Sequence, residues 1–166
     1  MRVLGIDPSS RATGYGILEE KNGDAAVVAF GTVKPAAKAA LADKLLDIKT
    51  GIAGLIAAHR PDEVAVENPF LAKNTKTAII LGQVRGAILI AVAEASLPLF
   101  EYSPLEIKKA VTGYGQAEKG QVATMIQTLL GIQDAALEED ASDALACALC
   151  HVHTRLFRKR LEESSL

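Results

Sequence analysis

Hydrophobic periodicity changes once along this chain of 166 residues, and that change limits the fold more than any other feature. Arg2–Asp7, residues 13–19 and residues 25–33 are short runs rich in β-branched and small side chains. Their close spacing reads as three strands of an antiparallel meander. From residue 37 onward the apolar residues recur at helical spacing (Leu41, Leu45, Ile48, Ile52, Leu55, Ile56), and Pro61 ends that pattern. Next come a short strand, Glu63–Glu67, a long helix, Thr75–Glu94, and a strand over 97–102. Helices are predicted near 104–111 and 118–130, with a last one over about 139–160. Helical crossovers make the later strands parallel to the first. The expected fold is therefore α/β, a five-stranded mixed sheet with helices on both faces. One domain should span residues 1–160, with 161–166 as a loose tail.

Two of the predicted strands end in an acid. Arg2–Asp7 is an apolar strand closed by Asp7, and Val64-Ala65-Val66 is closed by Glu67. If both are central and parallel, their C-terminal ends lie side by side, where α/β sheets place chemistry. The last helix opens with Asp140 and Asp143, three apart and so on one face. The same face continues through Cys147, Cys150 and Thr154, small enough to let the helix sit close to the sheet. Leu145, Leu149, Val152 and Leu156 make a second apolar stripe, so this helix should be buried between layers. A strand-terminal Asp is often only a turn former, and acids in a first helical turn often only favour the macrodipole. Nothing structural requires all four together, however. Clustered carboxylates repel, and a bound divalent cation relieves the repulsion. Oxygen-only ligands point to Mg²⁺, with Mn²⁺ as a substitute, rather than Zn²⁺. Two such ions clamp the attacking and leaving oxygens in phosphodiester cleavage.

Net charge is −2, which does not by itself suggest a nucleic-acid partner. Charge is segregated, though: Asp134, Glu138, Glu139, Asp140 and Asp143 form an acidic run with no base, and the rest of the chain is net positive. The apolar stretch 78–97 is interrupted by Gln83, Arg85 and Glu94, so no membrane span is expected. The N-terminus enters a strand pattern directly, without a basic region and a long apolar run, so a cytoplasmic protein is expected.

These strings resemble RuvC-type Holliday junction resolvases, the crossover junction endodeoxyribonucleases. The resemblance covers Val3 to about His151. Its carriers are Leu4-Gly-Ile-Asp-Pro8, Thr13-Gly-Tyr-Gly16, Ala72-Lys-Asn74, Leu81-Gly-Gln-Val-Arg-Gly86, Phe100-Glu-Tyr102, Ala117-Glu-Lys119 and Asp140-Ala-Ser-Asp143-Ala-Leu-Ala146. It implies a ribonuclease H-like fold and catalytic, metal-binding carboxylates at Asp7, Glu67, Asp140 and Asp143. It also implies a Mg²⁺-dependent homodimer that nicks two symmetric strands of four-way junction DNA, leaving 5′-phosphate and 3′-hydroxyl ends, alongside the branch-migration proteins RuvA and RuvB. Lys108 and Lys119 match family lysines near the scissile phosphate; Lys73 is a further DNA contact, with Lys76 and Arg85 extending the basic surface. Phe70, three residues past Glu67, is expected to stack on an unpaired base at the junction centre. The turn after Asp7 reads Pro8-Ser9-Ser10 where the family usually has Gly at the second position, and Asn68-Pro69-Phe70 follows Glu67.

Two other patterns are set aside. Cys147-Ala-Leu-Cys150-His151 fits covalent haem attachment, but mid-helix on a buried stripe it reads as packing, and no haem is expected. Gly5-Ile6-Asp7 after a strand also opens the first phosphate loop of actin-like ATPases. Those need a second phosphate loop, a glycine-rich adenosine segment and about twice the length. A DNA-binding module with this fold but no cleavage is a second rival, and retention of all four acids argues against it. A nuclease of the same fold acting on another substrate, such as structured RNA, is a third, which cleavage assays separate.

Overall fold

A computed structural model describes residues 1–68, 74–133 and 137–164. Its strands are β1 (Arg2–Asp7), β2 (Thr13–Lys21), β3 (Asp24–Val33), β4 (Glu63–Glu67) and β5 (Leu99–Tyr102). Its helices are α1 (Leu41–His59), α2 (Thr75–Glu94), α3 (Pro104–Thr112), α4 (Lys119–Leu130) and α5 (Glu139–Ser164). The sheet order is β3-β2-β1-β4-β5. β1 pairs antiparallel with β2 and parallel with β4, and β4 pairs parallel with β5. The meander and the two crossovers are thus as the periodicity predicts.

Alternation along the central strands divides the core. Leu4, Ile6, Ile17, Val64 and Val66 face Ile48 and Ile52 of α1 and Val84, Ile88 and Val92 of α2. Val3, Leu18 and Ala65 face the other way, toward α5 and, beyond it, α3 and α4. Helices therefore cover both faces.

Three boundaries differ from the sequence reading. α1 begins at Leu41, later than the helical spacing from residue 37 suggests, with Ala40 extended at the N-cap and giving no side-chain cap bond. β5 begins at Leu99, after Pro98, whose carbonyl accepts from Val64 N–H at 2.9 Å but which has no N–H to give the ladder. α5 runs on to Ser164, past the expected boundary at 160, with its last turns exposed.

α2 is long and apolar enough to cross a bilayer. Its inner side (Val84, Ile88, Ala91, Val92) is packed into the core, which makes it part of the fold rather than a separate span. Its outer side leaves Ile79 and Ile90 exposed, with Gly82 and Gly86 on open space between them.

Candidate active site

The register of the sheet sets two of the acids. Ile6 is opposite Val66 in the parallel β1–β4 pair, so Asp7 and Glu67 are the next residues on adjacent strands. On top of burial, the charge of Glu67 acts on Asp7 and raises its pKa. The turn after Asp7 is tied by Ser9 and Thr13: the Thr13 hydroxyl donates to Ser9 C=O at 2.7 Å, and Ser9 Oγ accepts from Arg11 N–H at 3.3 Å. Ser9 is not among the described residues with positive φ, so a serine serves at this position without strain.

The other two acids arrive on α5, and glycines decide how closely. A Cβ on Gly14, the β2 residue opposite Asp7, would lie 1.9 Å from Asp140 C=O oxygen. One on Gly5 would lie 2.2 Å from Ala144 C=O oxygen and 2.8 Å from Ala148 Cβ. The helix backbone thus rests directly on the backbones of β1 and β2. Asp140 is carried over the end of β1, and Asp143 follows one turn on. Cys147 lies fully buried beneath, its thiol pushed up first by burial and then by Glu67. The sequence reading credited this closeness to small residues on α5. The glycines of Gly5 and the Thr13-Gly-Tyr-Gly16 string are the missed half of the contact.

The four carboxylates form one electrostatic unit. Burial, then the charges of Glu67, Asp143 and Asp140, push the Asp7 pKa up to about 8. Glu67 is raised by burial and by Asp143, Asp140 by burial, and Asp143 by burial with help from Glu139 and Asp140. Lys119 opposes the rise in all four. Its Nζ is 2.8 Å from Asp143 Oδ2 and is also paired with Glu139. Burial disfavours the ammonium, but those two partners outweigh it and hold the Lys119 pKa above the usual lysine value.

A cavity of about 200 Å³ opens beside the acids, lined by Glu67, Asp143, Lys108, Lys119 and apolar residues of α3, α4 and α5. Lys108 lowers the proton affinity of Glu67 from there. The structure therefore brings together Asp7, Glu67, Asp140, Asp143, Lys108 and Lys119. Phe70 and Lys73 lie outside the described residues. Arg85, read as part of a basic surface, is paired with Glu101 and is committed within the fold.

The donor set is all oxygen, half-buried and mutually repelling, with Glu67 and Asp143 open to the cavity, which fits a hard divalent cation. Among the described residues, no three His, Cys, Asp or Glu side chains close into a ready-made cage for one ion. The cysteine–histidine string forms no site of its own. Cys147 and Cys150 are buried, and His151 is bonded through both ring nitrogens, to Tyr102 and to Glu63.

Comparison with known proteins places these features. The family model for crossover junction endodeoxyribonuclease RuvC matches residues 3–151. A crossover junction endodeoxyribonuclease RuvC of Halorhodospira halophila is 49% identical over 154 residues, 93% of this chain and 91% of the relative. Another, from Syntrophomonas wolfei, is 42% identical over 165 residues, 99% and 96% of the two chains. The solved structure of T. thermophilus RuvC in complex with a Holliday junction substrate superposes with a TM-score of 0.88 at 32% identity, covering 93% of this chain and 94% of that one.

Proposed function

The chain belongs to the RuvC family of crossover junction endodeoxyribonucleases, and from that premise we propose that Asp7, Glu67, Asp140 and Asp143 are the carboxylates with which it cuts four-way junctions. The chain is a nuclease of ribonuclease H-like fold acting on Holliday junctions in DNA recombination. One observation carries the residue assignment. Four acids from three separate elements meet at one edge of the sheet, at a cost in burial and repulsion that the fold does not need.

RuvC-family chemistry is divalent-metal chemistry; for this chain we assign Mg²⁺, two ions during cleavage, with Mn²⁺ as a working substitute. Held by these four carboxylates, such ions would supply charge neutralisation at the phosphodiester, a more acidic attacking water and stabilisation of the leaving 3′ oxygen. Asp7 stands between Glu67 on the neighbouring strand and Asp140 and Asp143 on α5, so it is the residue placed to serve both sides of the cluster. Lys108 and Lys119 flank the same cavity and hold the scissile phosphate by charge. Phe70, close after Glu67 in sequence, stacks on an unpaired base, and Lys73 adds a phosphate contact. The products carry 5′-phosphate and 3′-hydroxyl ends.

A four-way junction has two-fold symmetry, and paired cuts call for a C2 dimer. The outer face of α2 is the surface best suited to the seam, with exposed Ile79 and Ile90 on either side of unobstructed Gly82 and Gly86. The same reading places the protein in the cytoplasm, working with the RuvA and RuvB branch-migration complex.

The test is a labelled synthetic four-way junction, beside linear duplex, incubated with Mg²⁺. Paired nicks in the junction that DNA ligase reseals are the expected result. Random nicking of duplex, or junction nicks that resist ligation, would contradict it.

A further inference from the structure

Lys119 is the first residue of α4, the wrong end of a helix for a cation, because the macrodipole is positive there. What holds the ammonium in place is α5. Asp143, on the inner side, contacts it at 2.8 Å, and Glu139, one turn earlier and open to solvent, pairs with it as well. One lysine thus spans an inner acid of the cluster and an outer acid that is not part of it.

We propose that Lys119 is the built-in counter-ion of the carboxylate cluster and that Glu139 is its outer berth. Lys119 gives up Asp143 when the carboxylates take up a divalent cation, and stays paired with Glu139 at the rim of the cavity it shares with Lys108. The inference rests on reading Asp7, Glu67, Asp140 and Asp143 as metal ligands. The physical reason is that two cations on one carboxylate repel, while four clustered acids without any cation repel one another. A lysine with two seats satisfies both conditions. It stabilises the cluster without metal and yields to metal without swinging free. Glu139 is then a positioning residue whose main effect on metal binding runs through Lys119, beyond the direct repulsion it exerts on Asp140 and Asp143.

Metal binding to the DNA-free protein tests this without any turnover. Mn²⁺ is titrated calorimetrically, at one pH and ionic strength, into wild type, Lys119→Met, Lys119→Arg, Glu139→Gln, the Lys119→Met/Glu139→Gln double variant and Asp7→Asn. Lys119→Met should bind Mn²⁺ about fivefold tighter than wild type, the effect of removing one unit of competing charge near the site. Lys119→Arg should stay within about twofold of wild type, since the cation is kept. Glu139→Gln should weaken binding severalfold in the wild-type background and by less than about twofold in the Lys119→Met background, because its main action runs through the lysine. Equal affinity in wild type and Lys119→Met, with binding lost in Asp7→Asn, overturns the counter-ion role and leaves the site reading intact. Equal penalties for Glu139→Gln in both backgrounds overturn the berth. Mn²⁺ binding that does not depend on Asp7 overturns the site reading on which the inference stands.

Discussion

Tyr102 Oη lies 2.8 Å from Nδ1 of His151, deep between β5 and α5. The other ring nitrogen, Nε2, donates to Glu63 Oε2 at 2.6 Å, and Arg155 pairs with the same carboxylate. A neutral imidazole fits this arrangement, accepting from the phenol and donating to the acid. The chain links β5, α5 and β4: Tyr102 is in register with Glu67, whereas Glu63 opens the strand that Glu67 closes.

Burial holds the His151 pKa below its ordinary 6.5, more strongly than Glu63 raises it. The unfolded chain therefore takes up a proton that the folded chain resists, and stability falls as pH drops below 6.5. Glu63 is held below its ordinary 4.5, where the His151 and Arg155 hydrogen bonds outweigh burial, so its contribution is lost only in more acid solution. Urea unfolding should show the stability difference between wild type and His151→Gln moving in the variant's favour as pH drops from 7 to 5, against the opposite slope that Asp7 contributes to both proteins. Tyr102→Phe should cost about 1–3 kcal/mol at neutral pH by orphaning Nδ1. A pH profile unchanged by His151→Gln would contradict the account.

Divalent ions should stabilise the folded protein more at alkaline than at acid pH. Asp7 has its pKa pushed from 3.8 up to about 8, chiefly by burial. The metal-free fold thus loses stability as pH rises through that window, since the unfolded chain gives up the proton more readily. A bound cation displaces the proton and restores the loss. The thermal shift caused by Mg²⁺ should be clear at about pH 8 and small at about pH 5.5. Equal shifts at both would show that the cation binds elsewhere.

Gly14→Ala and Gly54→Ala should move in opposite directions. At position 14 the new methyl meets backbone atoms of Asp140 at 1.9 and 2.4 Å, so α5 must lift off the sheet. Stability should fall by roughly 1–3 kcal/mol, and junction cleavage by far more, because Asp140 moves with the helix. At position 54, within α1, nothing lies within 4 Å, and alanine should stabilise by about 0.5–1 kcal/mol. Thermal melts and single-turnover cleavage of the two variants check this. Full activity in Gly14→Ala would contradict the seating of α5.

The acids were legible before the fold because each sits where a local pattern ends: Asp7 and Glu67 close apolar strands, and Asp140 opens a buried helix. The topology was legible for the same reason, since short spacings force hairpins and long ones force crossovers. What was not legible depends on contacts far apart in sequence. The seat of α5 is made by Gly5 and Gly14 against residues more than a hundred positions away. The Cys147–His151 string reads only as packing, and the bonds of His151 to Tyr102 and Glu63, residues 49 and 88 positions away, leave no local mark. Arg85 looked like a free surface base, and its partner Glu101 lies on another element. The late start of α1 was hidden because alanines support a helix without marking its first residue.

The dimer assignment predicts a change in mass without a change in fold. Ile79 and Ile90 are 59% and 55% exposed on the outer face of α2, so Ile79→Glu with Ile90→Glu leaves the core untouched. Wild type should sediment as a dimer and the double variant as a monomer with an unaltered melting curve. The monomer should nick a junction on one strand at a time rather than in pairs. A double variant that remains a dimer would move the seam off α2.

The most direct measurement of the central claim is single-turnover cleavage of a four-way junction by Asp7→Asn beside wild type, with junction affinity measured on the same preparations. Asparagine at position 7 relieves like-charge repulsion, so the variant should fold at least as well as wild type and should bind the junction. The account predicts retained binding with cleavage reduced by at least about a thousandfold, the scale of losing a group that acts in the transition state. Cleavage within a few-fold of wild type would contradict it and leave the four carboxylates without a catalytic role.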